Sequence, residues 1–149
     1  LTDINSNKAH NLYLDIKNRW SDKMDRPMTY YRNNTKTAAE VFSEVDKMAM
    51  SFDEMGLKSG DQIVACMSNV PEVLVLLLAA SKCGLIVNFI SDKFSKDYIR
   101  KIMRQTPERK LFIALHLQTG EVKEFGCGLS AFLLLYGSDS QMVIFYSSD

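Results

Sequence analysis

Apolar positions recur at three- and four-residue intervals in two early stretches of the chain, a spacing that gathers them on one face of a helix. In the first stretch Ala9, Leu12, Tyr13, Ile16 and Trp20 predict a helix from Ser6 to Trp20. In the second, Val41, Val45, Met48, Phe52 and Met55 form the stripe, at a spacing that makes its methionines core fillers. Thr37 can cap that helix with Glu40 as its capping-box partner, and Gly56 provides the C-terminal stop. Between the two, Met28 to Tyr31 reads as a short strand, followed by a turn at Asn33 and Asn34 and a brief second strand.

From Gly60 onward the pattern alternates between strand and helix. Gly60 and Asp61 make a turn, Gln62 to Met67 a strand, and Ser68 or Asn69 a helix cap, with Pro71 suited to the first helical turn. That helix runs to about Cys83, where Gly84 stops it. Leu85 to Ile90 is nearly all apolar, as a strand covered on both faces should be. Ser95 then caps a helix with Ile99, Ile102 and Met103 facing inward and Lys96, Arg100 and Arg104 on the solvated side. Pro107 follows, and Lys110 to Leu115 is the next strand. Short connections between these elements predict an α/β fold, a doubly wound, mainly parallel βαβαβ sheet flanked by helices.

Past Leu115 the pattern loosens. There is a turn signal at Thr119 and Gly120, and the apolar stretch from Ala131 to Tyr136 suits either helix or strand. Met142 to Tyr146 is a β-branched and aromatic run, the composition of a buried strand. The chain therefore divides into residues 1–115, an α/β subdomain, and residues 116–149, a looser segment that ends in that strand.

Composition narrows the function classes. Of 149 residues, 46% are hydrophobic and 24% charged, enough for one globular core. Lysine plus arginine equals aspartate plus glutamate, 18 each, so no global field favours nucleic acid or an acidic membrane. The longest apolar run, Val73 to Ala80, is far short of the ~20 residues of a membrane span, so no transmembrane segment is expected. No apolar run after a basic start marks a secretory signal at the N-terminus. Cys66, Cys83 and Cys127 are far apart and odd in number, which suits a reducing, cytoplasmic compartment. His10 and His116 have no ligand partner at helical spacing, and no G-x-S-x-G, Walker or G-x-G-x-x-G fingerprint occurs.

One ordered run of motifs says more. Residues 52–90, FDEMGLKSGDQIVACMSNVPEVLVLLLAASKCGLIVNFI, hold Gly56, Leu57, Lys58, Gly60 and Asp61, then Asn69, Pro71, Glu72, Lys82 and Gly84. This succession resembles the N-terminal subdomain of the adenylate-forming (AMP-binding) superfamily, closest to the acyl-CoA synthetases and long-chain fatty-acid CoA ligases. The opening "MTY" at Met28 to Tyr30 fits the same pattern, and the resemblance covers roughly residues 8–115. The matched positions are turns, caps and core, so they identify a scaffold and supply no catalytic group or metal ligand.

The resemblance implies an enzyme in which a carboxylate, here a fatty acid, attacks the α-phosphate of MgATP and the acyl-adenylate then passes to coenzyme A. ATP, Mg2+ and coenzyme A are the implied cofactors, and the rest of the same polypeptide is the implied partner. The family's phosphate loop resembles Y-[ST]-S-G-[ST]-[ST]-G, and Tyr146, Ser147 and Ser148 match its start. Ser147 and Ser148 are therefore the candidate cofactor-binding residues. Asp149 stands where glycine is expected, and the strand arrives early after Glu72. Both departures give the expectation that this is a piece of a longer protein, in which Asp149 does not directly follow Ser148, and that the piece alone is inactive. A stand-alone nucleotide or phosphate binder and a purely structural subdomain are the alternative readings.

Overall fold

In chain order the elements are α1 (Leu12–Trp20), β1 (Pro27–Tyr31), β2 (Asn34–Thr37), α2 (Ala38–Glu54), β3 (Gln62–Cys66), α3 (Pro71–Cys83), β4 (Ile86–Ile90), β5 (Arg109–His116), β6 (Ser130–Tyr136) and β7 (Ser140–Tyr146). The computed structural model describes residues 11–67, 69–91, 93–95, 97, 98 and 101, and the backbone of the last three strands.

Thr37 ends one element and begins the next, and its side chain fixes the junction. Its Oγ1 accepts the Glu40 N–H at 3.3 Å, while Glu40 Oε2 accepts the Thr37 N–H at 2.7 Å, the expected capping box. α2 then buries Val41, Val45, Met48 and Phe52, the stripe read from the sequence. It ends in a Schellman turn: the Leu57 N–H reaches the Phe52 carbonyl at 3.1 Å, and the N–H of Gly56, at φ +78°, reaches Asp53 at 2.9 Å. Phe52 and Leu57 are both buried in the same core, the apolar contact that accompanies this motif.

α3 ends the same way, with Leu85 N–H on the Ala80 carbonyl at 2.9 Å and Gly84 at φ +70°. Its start differs from the expectation. The N-cap is Val70, without a side-chain hydrogen bond, in place of Ser68 or Asn69; Ser68 lies outside the described residues. Proline disfavours helical geometry in the residue before it, so Pro71 holds Val70 extended at φ −128° and ψ 159° and sets the entry by itself.

Two further boundaries move. α1 starts at Leu12, because Asn11 is extended and its Oδ1 accepts the Leu14 N–H at 3.2 Å; residues 1–10 are outside the described set. Leu12 is exposed, and the helix docks through buried Tyr13 with Ile16 and Trp20 half-buried. In the hairpin Tyr31 pairs with Asn34, so the two-residue loop is Arg32 and Asn33, one position earlier than expected. Arg32 takes the positive φ of 53° there, its guanidinium lying 5.3 Å from the centre of the Tyr31 ring. That cation–π contact offsets part of the left-handed cost.

The main sheet has the order β4-β3-β5-β7-β6. β3 pairs in parallel with both β4 and β5, the expected βαβαβ unit. β7 runs antiparallel to β5 and to β6, so four strands point one way and β7 the other. β6 and β7 thereby extend the same sheet, and Ala131 to Tyr136 is strand.

The core lies where α2 and α3 cover β3, around Phe52, Ile63, Leu76 and Leu78. Val64 and Cys66 are buried on the opposite face of β3. β4 corrects an expectation: it is the edge strand, and Ile86 and Phe89 are exposed, so its apolar run does not mean cover on both faces. Ser95 caps as expected, its Oγ accepting the Tyr98 N–H at 3.2 Å, and residues 97, 98 and 101 are helical. Lys96, Ile99, Arg100, Ile102, Met103 and Arg104 lie outside the described residues. Among the described residues no helix is long and apolar enough to cross a membrane.

Candidate functional site

Parallel strands present their carboxyl ends together, and open α/β sheets bind ligands in the crevice outside those ends. Here that edge is built from Cys66 and Ile90, which are register partners, with β5 running on past Cys66 to His116. The Cys66 thiol donates to the Ser91 carbonyl at 3.7 Å, tying the loop after β4 to β3. Ser91 Oγ accepts the Lys93 N–H at 3.2 Å and shapes the turn that follows. The amino end of α3, with its partial positive charge, opens onto the same edge.

β7 leaves the sheet on the other side. Tyr146 pairs with Leu111 and with Ser130, and Leu111 pairs with Ile63 near the start of β3. A ligand-binding strand end is expected at the carboxyl-end crevice, and the antiparallel run of β7 puts Tyr146 at the amino edge instead. Ser147 and Ser148 lie outside the described residues, as do Asp149 and Cys127.

Among the described residues, the densest polar cluster that the sequence did not announce joins α1, α2 and α3. Ser81 Oγ accepts the Tyr13 N–H at 3.2 Å and donates to Asn11 Oδ1 at 3.3 Å, while Asn11 Nδ2 donates to the Ser81 carbonyl at 3.3 Å. Lys82 Nζ is 2.8 Å from Asp46 Oδ1, and the Tyr13 hydroxyl reaches the same oxygen at 3.5 Å. Lys17 donates to the Tyr13 hydroxyl at 2.8 Å. The Tyr13 ring itself packs edge-on against Phe42, 6.2 Å between centres. Only the interval from Tyr13 to Lys17 hints at any of this in the sequence. The other partners are 33 to 70 residues apart.

The titration directions of this region suit structure and not chemistry. Lys82 is raised above the ordinary lysine value, first by its hydrogen bond to Asp46, and so stays an ammonium ion. Burial pushes the neighbouring Cys83 thiol up, so it stays protonated. A nucleophilic lysine or cysteine needs the opposite displacement.

Because the folded value for Lys82 is the higher one, its contribution is complete below the unfolded lysine value and is lost as pH rises through the folded one. The pair is part-exposed and worth under about 1 kcal/mol. Trp20, the single tryptophan, sits on α1 and reports its docking. Its emission should hold steady from neutral pH to about pH 10 and move above about pH 10.4 as the ammonium is lost. In Lys82→Gln the part of that step due to the pair should be missing. An identical alkaline step in the variant would remove Lys82 from the docking.

Residues 16–130 match the sequence model of a family described as AMP-binding enzyme. The chain is 33% identical over 94 residues to the 4-coumarate–CoA ligase CCL1 of Humulus lupulus, covering 63% of this chain and 17% of that protein. It is 30% identical over 118 residues to the mitochondrial acyl-CoA synthetase short-chain family member 3 of Bos taurus, covering 74% of this chain and 17% of that one. Among solved structures, the Klebsiella oxytoca NpsA N-terminal subdomain aligns with a TM-score of 0.59 and 20% identity, over 68% of this chain and 26% of its own. At that identity the likeness is one of fold. The chain thus spans 17% of the length of either curated relative.

Proposed function

Since the chain belongs to the AMP-binding enzyme family, we propose that it is the N-terminal part of an enzyme that activates a carboxylic acid with ATP and transfers the acyl group to coenzyme A. The observation that carries this is the family match together with two relatives that are named as a CoA ligase and an acyl-CoA synthetase. In the proposed reaction a carboxylate oxygen bonds to the α-phosphorus of ATP and pyrophosphate leaves. The thiolate of coenzyme A then bonds to the acyl carbon and AMP leaves. A fatty acid is the first substrate class we assign.

The described residues serve this reaction as a scaffold. α2 and α3 bury one face of β3 and orient the strands from which the rest of the site is built. Ser147 and Ser148, following β7, are the hydroxyls we assign to the ATP phosphates, as donors to an anionic chain. Mg2+ would arrive with ATP as its counter-ion, and none of the described residues is assigned to it. A reducing, cytoplasmic setting suits the thiols Cys66 and Cys83.

Exchange of labelled pyrophosphate into ATP tests the reading. The full-length parent should catalyse it when offered fatty, short-chain or aromatic acids in turn, and the 149-residue chain should not. A parent that exchanges with none of them would sink the proposed activity. Exchange by the 149-residue chain alone would sink its role as a partial scaffold, and saturable ATP binding without exchange would favour a stand-alone phosphate binder.

A further inference from the structure

β4 closes the five-stranded sheet on one side, so among the described residues one flank of its backbone has no neighbouring strand. Its pairing with β3 runs without a bulge through five consecutive residues, from Gln62 with Ile86 to Cys66 with Ile90. Its sequence, IVNFI, carries no charge and no proline. Sheet edges that face water are normally guarded by lysine, proline, a bulge or a covering element, because a bare flat edge recruits other strands. β4 itself has none of the first three.

The exposed side chains show which part of β4 is open. Successive residues of a strand point to opposite faces. Val87 packs on the α2 and α3 core, so Phe89 belongs to that face and Ile86 to the other. Ile86 is nevertheless 50% exposed and Phe89 44%. An uncovered face would expose one of these sets and not the other. One partly open apolar side chain on each face is the pattern of a strand that lacks side-chain neighbours beside it, as the edge position of β4 gives.

We infer that in the full-length protein an uncharged, apolar strand from outside residues 1–149 lies alongside β4 and continues the sheet, flanking Phe89 on one face and Ile86 on the other. The length of the relatives selects this occupant. The matched stretch is 17% of each, which leaves most of such a polypeptide to supply the strand. A tethered strand also meets the edge at a high effective concentration, whereas a second copy must assemble from solution. The inference rests on the reading of the chain as part of a longer enzyme, but its test does not use activity.

Hydrogen exchange supplies that test. In a parallel edge strand only part of the backbone N–H groups bond to the neighbour, and the rest point outward. In the full-length parent the outward N–H groups of β4 should exchange roughly 100-fold more slowly than in the 149-residue chain. Equally fast exchange in both overturns the inference. So does slow exchange in the 149-residue chain that strengthens with its concentration, since a second copy is then the occupant. A check in the parent alone is Phe89→Lys, which should lower Tm by several degrees if the strand is covered; an unchanged Tm overturns it. A parent that shows this protection but no pyrophosphate exchange would discard the proposed activity and leave the completed sheet standing.

Discussion

Replacing Phe52 by alanine should lower the stability of this domain by about 3–5 kcal/mol. The ring is fully buried in the core that α2 forms with α3 and β3, among the largest enclosed side chains. Its loss removes the transfer energy of a phenyl group and leaves a cavity that close-packed neighbours cannot fill. The same residue supplies the carbonyl and the apolar contact of the turn that ends α2, so the chain reversal into Leu57 loosens with it. A domain of this size holds about 5–15 kcal/mol in all, so the variant should be close to unfolding at physiological temperature. The urea midpoint should fall with an unchanged slope. A loss under about 1 kcal/mol would mean that this side of β3 is not the centre of the core.

The second large effect belongs to Gly84. Alanine there has to adopt φ +70°, at a cost of about 1–2 kcal/mol, and its Cβ would strike the Ser59 hydroxyl and come within 3.1 Å of Ser59 Cβ. The loop cannot easily yield. Gly60 N–H is bonded to the Gly84 carbonyl at 2.8 Å, and Ile86 N–H to Asp61 at 2.9 Å. The expected total is about 2–4 kcal/mol, with the steric part on the scale of overpacking. Gly56 is the control: it has a similar φ of +78° but nothing within 4 Å of an added Cβ, so Gly56→Ala should show the backbone cost alone. Adding Ser59→Gly should bring Gly84→Ala back to the level of Gly56→Ala, a coupling that a double-mutant cycle reads directly. Equal losses at the two glycines, with no coupling to Ser59, would show that the contact is harmless.

Much of this was legible because the signals are local. Thr37 with Glu40, Gly56, Gly84 and Pro71 each act within four residues, and helix ends followed from them. The strand and helix order followed from short connections. What the sequence misplaced depends on distant pairing. IVNFI reads as covered on both faces, yet whether a strand is central or at an edge is decided by its neighbours and not by its composition. Arg32 takes the left-handed position because the register of Tyr31 with Asn34 leaves it at the first loop position, whatever the preference of asparagine.

The direction of β7 could have been found. Gly137, Ser138 and Asp139 separate two apolar runs, a hairpin signal that fixes β6 and β7 as antiparallel. The consequence for the candidate site is one of distance. From Leu111 to His116 along β5 is five residues, or roughly 17 Å at about 3.4 Å each. A ligand held beyond Tyr146 and one held at the amino end of α3 therefore occupy opposite edges of the sheet.

The cluster that docks α1 also sets an order of events during synthesis. Asn11 finds its partner Ser81 70 residues downstream. At about 5–20 residues per second, that partner is made roughly 4–14 s later. The hairpin and α2, whose closing contacts are all near in sequence, can form in that interval, while α1, with Tyr13, Ile16 and Trp20, lacks the α3 residue Ser81 that ties it down. A nascent chain paused before Ser81 would offer those side chains to chaperones, and one paused well after it would not.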